Sequence, residues 1–138
     1  MNQAVILSTS RTPIGKAYRG AFNDTDAPTL ASFSIKASIE KADLDPSEIE
    51  DVILGAAVQQ GSQGYNIGRL SVVSSGLPVH VPGMSVDRQC ASGLMAIAIG
   101  AKQIACNEMD VVVAGGVESI SLVPVSYTHL TLPTTVRV

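Results

Sequence analysis

Strand-length apolar segments alternating with longer stretches of helical period constrain this chain most. Ala4-Val5-Ile6-Leu7, Val52-Ile53-Leu54, Met84-Ser85-Val86 and Val111-Val112-Val113-Ala114 read as strands, and the short continuous runs suit burial on both faces. Between them, Thr29 to Ala42 places Leu30, Phe33, Ile35, Ala37 and Ile39 at helical spacing among Lys36, Glu40 and Lys41. Asp45-Pro46-Ser47-Glu48 predicts a turn opening into one short helical turn, with Pro46 at its first position. Ile67 to Ser75 predicts a short helix closed by Gly76. Ala91 to Ala105 is apolar nearly all round, broken mainly by Ser92, Lys102 and Gln103, which predicts a buried central helix. Strands alternating with helices imply βαβ units and a mostly parallel, mixed sheet in an α/β layered fold. The chain's 138 residues suffice for one domain with a core, and 46% hydrophobic against 15% charged residues suits buried layers rather than a disordered tail.

Charge and cysteine usage narrow the partners. The net charge is −3 and no Lys/Arg cluster occurs, so neither nucleic acid nor an anionic membrane is expected. No apolar run reaches membrane-spanning length, and the N-terminus has no basic segment leading an apolar one. A cytoplasmic protein is the default expectation. Cys90 and Cys106 make neither a disulfide framework nor a zinc knuckle, so a reducing compartment and no metal site are expected.

The chemistry concentrates in Asp87-Arg88-Gln89-Cys90-Ala91-Ser92-Gly93-Leu94-Met95-Ala96-Ile97, where a strand gives way to a helix. A helix N-terminus presents free N–H groups and positive dipole charge. Both favour a thiolate and can hold a developing oxyanion. Ala91 and Gly93 leave room beside the sulfur. From these residues alone, Cys90 reads equally as a nucleophile or as an inert core cysteine.

Five segments, in order, resemble the thiolase family. Arg11-Thr12-Pro13-Ile14-Gly15-Lys16 resembles its N-terminal signature, and Gly64-Tyr65-Asn66-Ile67-Gly68-Arg69 its asparagine–arginine segment. Gly76-Leu77-Pro78 with Val81-Pro82 resembles the approach to the nucleophile strand. The Cys90 segment resembles the nucleophile motif, and Gly115-Gly116-Val117-Glu118-Ser119-Ile120-Ser121 the glycine–glycine–glutamate–serine segment. Ala91 stands where Gly or Ser is usual, and Val117 and Ile120 where Met is common. The Arg88-Gln89-Cys90 form is closer to broad-chain 3-ketoacyl-CoA thiolases than to short-chain biosynthetic enzymes.

The resemblance implies a thiolase-like fold of which this is the N-terminal half, and an acyltransferase of fatty acid metabolism. Its substrates would be acyl-CoA and CoA, with no bound cofactor and no metal. Cys90 would carry the acyl group as a thioester, and its backbone N–H would be one oxyanion donor. The family's base and acid, a histidine and a second cysteine, lie in a C-terminal half that this chain lacks, and the full-length parent is expected to form a homo-oligomer. These 138 residues alone are therefore expected not to catalyse. The alternatives are a non-catalytic truncated fragment and a related thioester-condensing synthase, against which Arg11 and the Gly115–Glu118 segment argue.

Other residues carry weaker readings. Cys106 reads as a small core residue, and His80, between Pro78 and Pro82, as a loop residue. Gly61, Gly64 and Gly68 do not make a dinucleotide fingerprint. Arg11 and Lys16 read as solvated or structural, Gly115 and Gly116 as permitting close packing, and Glu118 either as orienting active-site groups or as a structural carboxylate. The resemblance stops near Pro124. Val125 to Thr134 matches a translated transposase adapter used in DNA library preparation. The expected organisation is thus an incomplete N-terminal domain over residues 1–124 and a non-native tail over 125–138, with His129 an accident of codons. Without a second half to cover it, the Ala91–Ala105 helix is expected to expose apolar surface and promote aggregation.

Overall fold

The computed structural model describes residues 2–123. Three helices and three strands alternate, linked by short 3-10 turns: α1 (Ala27–Lys41), β1 (Asp51–Gly55), α2 (Ile67–Ser74), β2 (Gly83–Val86), α3 (Ser92–Ala105) and β3 (Val112–Gly116). The sheet order is β2-β1-β3, and both pairings are parallel. Ile53 aligns with Met84 on one side and with Ala114 on the other. The chain leaves β1 toward β2 and returns past β1 to β3. Right-handed crossovers in opposite directions put α2 and α3 on opposite faces. Val52 and Leu54 accordingly join Ile35 and Ile39 of α1 and Ile67 and Val72 of α2 in one apolar cluster. The intervening Ile53 is fully buried without joining that cluster, as alternation along a strand requires.

The helix ends are set by local chemistry. Asp26 Oδ1 accepts from the Thr29 N–H at 2.8 Å, and Asn66 Oδ1 accepts from the Arg69 N–H at 3.0 Å, capping α1 and α2. Each helix stops at a left-handed residue: Asp43 (φ 53°), Gly76 (φ 67°) and Asn107 (φ 59°). In each case the following N–H reaches back to a carbonyl of the last turn, from Leu44 to Ile39, Leu77 to Val72 and Glu108 to Gln103. This is the Schellman closure, and Gly, Asn and Asp are the residue types that tolerate it.

Three expectations are corrected. Ala4–Leu7 is not a paired strand: Val5, Ile6 and Leu7 are 67%, 78% and 63% exposed. Among the described residues it has no strand neighbour, and a strand exists only through a ladder partner. What holds this end is Ser8 Oγ donating to the Ser38 carbonyl at 2.6 Å and Lys41 Nζ donating to Thr9 at 3.2 Å. Second, α3 is not a helix buried all round; it exposes apolar surface, as expected where no second half covers it. Ser92, Ala96 and Gly100 form its buried stripe, while Leu94 is 72% exposed. A single sheet face covers a single stripe, and no layer packs on the other side among the described residues. Third, Cys106 is exposed at the end of α3 rather than part of the core.

Candidate active site

The carboxyl ends of the three parallel strands meet at one place, the usual position of sites in open α/β sheets. The ladder continues slightly past the strands, because the Ala56 N–H bonds the Val86 carbonyl and the Val117 N–H bonds the Gly55 carbonyl. The first turn of α3 rests on these ends. A Cβ at Gly55 would overlap the Ser92 carbonyl, and one at Gly116 would lie 2.9 Å from the Gly93 Cα. Helix and sheet therefore touch backbone to backbone, which only glycine permits here. Gly115 has room for a side chain, its nearest neighbour being Leu54 Cδ2 at 3.9 Å. The close packing expected of the glycine pair belongs to Gly116. Gly55, its counterpart on β1, had no sequence signal beyond following an apolar run.

Between β2 and α3 the chain winds through one tight turn. Asp87 Oδ1 accepts from the Gln89 N–H at 2.9 Å, and Gln89 takes a left-handed conformation (φ 51°). Buried Ser92 reaches back across the turn. Its hydroxyl accepts from the Arg88 N–H at 2.8 Å and donates to the Gln89 carbonyl at 2.6 Å. A non-glycine residue at positive φ is costly and persists where surrounding bonds hold it. The outcome is that Cys90 stands exposed on the outside of the turn, two residues before α3 begins. No side chain caps the N-terminus of α3, which adjoins the cysteine, although its first N–H, that of Ser92, bonds the Gln89 carbonyl at 3.0 Å.

Cys90 borders a cavity of about 280 Å³. Gly55, Ala56 and Ala57 form one wall, Gly93 the helix side, and Gly116, Val117 and Glu118 the side from β3. Glu118 ties two of these walls together. Its Oε2 accepts from the Ala57 N–H at 2.8 Å, and its Oε1 accepts from the Val58 N–H at 3.2 Å and from Gln63 Nε2 at 2.6 Å. Gln63, fully buried, also donates to the Val58 carbonyl at 2.6 Å and accepts from the Ser119 N–H. The geometry shows Glu118 in a structural role, tying Ala57, Val58 and Gln63 to the end of β3, and it lines the cavity that Cys90 borders. Gln63 was missed by sequence reasoning, its only signal being a polar residue inside a glycine-bearing loop.

The remaining candidates lie elsewhere. Asn66 and Arg69 hold the entry to β2: Asn66 Nδ2 donates to the Gly83 carbonyl at 2.8 Å, and the Arg69 guanidinium donates to the Val79 and Val81 carbonyls. Their segment thus steers the strand that leads to Cys90 without lining its cavity. Arg11 and Lys16 line a second cavity of about 420 Å³, beside α1 and the outer edge of β3. His80 is exposed, and its nearest polar partner is the Ser47 carbonyl at 3.4 Å. No histidine lines the Cys90 cavity among the described residues. His129 and the rest of 125–138 lie outside the described residues. Among the described residues, no group of three or more His, Cys, Asp or Glu could hold a metal ion, and no helix is long and apolar enough to cross a membrane.

The family model for the thiolase N-terminal domain matches residues 4–136. The chain belongs to the thiolase family. It is 39% identical over 126 residues to the steroid 3-ketoacyl-CoA thiolase of Mycobacterium tuberculosis, covering 91% of this chain and 31% of that protein. It is 38% identical over 133 residues to a 3-ketoacyl-CoA thiolase of Bacillus subtilis, covering 96% and 34%. It is 39% identical over 124 residues to an acetyl-CoA acetyltransferase of Pseudomonas aeruginosa, covering 90% and 31%. The chain spans about a third of the length of these curated thiolase relatives.

Proposed function

We propose that Cys90 is the acyl-accepting nucleophile of a thiolase that interconverts 3-ketoacyl-CoA plus CoA with acyl-CoA plus acetyl-CoA. The observation that carries this reading is the placement of Cys90: exposed on a locked turn, beside the N-terminus of α3, at a cavity beyond the strand ends. A base removes the sulfur proton, and Sγ bonds to the keto carbon of the substrate. The bond between that carbon and the neighbouring methylene carbon breaks. The electron pair stays on the methylene carbon, which takes a proton and leaves as acetyl-CoA. The acyl group remains on Cys90 until the thiol of a second CoA attacks the thioester and restores the cysteine. Donors at the helix end, the Cys90 N–H among them, would stabilise the oxyanion formed at each attack. Base and acid would come from residues outside this chain.

The relatives named 3-ketoacyl-CoA thiolase and acetyl-CoA acetyltransferase are equally similar, so chain length rests on the Arg88-Gln89-Cys90 form, which favours broad-chain substrates. We place the protein in the cytoplasm, as a homo-oligomer when full length, with residues 125–138 as a translated adapter. Resequencing the genomic locus tests that last assignment. The activity is tested by thiolysis of acetoacetyl-CoA. The 138-residue chain is expected to show no turnover. A chimera with residues 1–124 in place of the matching segment of the Bacillus subtilis relative should turn over and lose activity in Cys90→Ala. A Cys90→Ala chimera that still turns over would refute the assignment.

A further inference from the structure

We propose that Glu118 is a positioning residue for Cys90, acting through the Ala56–Gln63 loop; this rests on Cys90 being the reactive thiol. The loop leaves the end of β1, and its Ala56 and Ala57 line the cavity that Cys90 borders. Past Ala56 the ladder ends, and local bonds fold the loop: Gln59 Nε2 donates to the Ala56 carbonyl at 3.3 Å and the Gln63 N–H to the Gln60 carbonyl at 3.0 Å. The carboxylate of Glu118 supplies the tie to β3. It takes the N–H of Ala57 on one oxygen and those of Val58 and Gln63 Nε2 on the other. Gln63 closes the circuit by donating to Val58 and accepting from Ser119, and Ser119 Oγ donates to Thr25 at 2.7 Å. A carboxylate that accepts three N–H bonds is a stronger clamp than an amide, because an amide has one acceptor oxygen and turns a donor toward donors. The wall of the Cys90 cavity is therefore set from β3, on the far side of the sheet from β2, which delivers the cysteine.

The two cysteines of the chain supply an internal control. Cys90 and Cys106 are both exposed and lie at opposite ends of α3. Loss of the overall fold changes both thiols together, whereas loss of the loop changes Cys90 alone. Alkylation of each cysteine by iodoacetamide and by the bulkier N-phenylmaleimide, read by peptide mass spectrometry on the 138-residue chain, gives a Cys90-to-Cys106 rate ratio. Removing one charge-assisted hydrogen bond raises the opened-loop population by roughly tenfold or more. In Glu118→Gln the N-phenylmaleimide ratio is expected to rise about threefold or more, since only part of the approach passes the loop, and the iodoacetamide ratio to stay unchanged. Glu118→Asp, which keeps the charge but shortens the reach, should fall between and covers the case in which Glu118→Gln does not fold. An unchanged N-phenylmaleimide ratio in a folded variant, or equal acceleration of both cysteines in Glu118→Asp, would overturn the proposal. Failure of Cys90 as nucleophile would show instead in the Cys90→Ala chimera, whatever this ratio does.

Discussion

Gly55→Ala gives the sharpest test of how the sheet positions Cys90. The added methyl would overlap the carbonyl of Ser92 and lie 2.5 Å from the Gly93 nitrogen. Ordinary contact needs about 3.5 Å, so the first turn of α3 must lift by about 1 Å. Both partners are backbone, and no rotamer change relieves the overlap. Overpacking of this kind costs about 3 kcal/mol, and the better strand propensity of alanine offsets about 0.5–1 kcal/mol. The expected net loss is about 2 kcal/mol, which lowers the urea midpoint by roughly 1 M for a domain of this size. Gly76→Ala is the control. Its Cβ meets nothing within 4 Å, but its φ of 67° costs about 1 kcal/mol. Both variants should lose stability, whereas only Gly55→Ala should change the Cys90-to-Cys106 alkylation ratio. Urea denaturation at low protein concentration and peptide-resolved alkylation measure the two quantities. A Gly55→Ala chain with the original midpoint and ratio would refute the backbone contact as the device that seats the helix.

Two further outcomes follow from single residues. Ser92→Ala removes a hydroxyl bonded to both the Arg88 N–H and the Gln89 carbonyl, with a cost of about 1–3 kcal/mol and faster amide exchange at Arg88; unchanged exchange there would show that the turn holds itself. Burial raises the Asp51 carboxyl above its ordinary 3.8, opposed in part by the bond from the Val52 N–H. The folded state thus binds this proton more tightly than the unfolded one, and the residue's contribution fades as pH rises from 3.8 through the folded value. Asp51→Asn should therefore stabilise the chain at neutral pH, with the gain vanishing toward pH 3.8, as urea midpoints across that range would show. Glu50 works in the opposite sense. The N–H groups of Asp110 and Val111 hold its carboxyl below the ordinary 4.5, so its contribution is present above that value and lost on acidification.

What was legible in the sequence follows from local physics. The runs at 52–54 and 111–114 and the Met84-Ser85-Val86 segment fell in β1, β3 and β2; only the central β1 is buried throughout, as a continuous apolar run suits, while the edge strands β2 and β3 are half-buried. The helices were visible in their spacing, and Gly76 marked an end because left-handed backbone suits glycine. Cys90 at a strand-to-helix junction was visible too, as were the five segments that resemble the thiolase family.

Tertiary structure decided what depends on a partner. Ala4–Leu7 has the composition of a strand, but a strand needs a neighbour, and none lies beside it among the described residues. The Ala91–Ala105 segment has an apolar face on every side, yet burial is a property of what packs against a helix, so Leu94 stays in solvent. Gly55 is unremarkable in sequence because its reason lies in Ser92 and Gly93, far along the chain. Gln63 and Glu118 share a clamp across 55 residues, and no local pattern records a contact of that range. The sequence by itself determined the alternation of helices and strands from residue 27 onward and put Cys90 at a strand-to-helix junction, since both are properties of neighbouring residues. Only the fold decided that Cys90 is exposed and which residues share its cavity, because those are set by strands that meet in space.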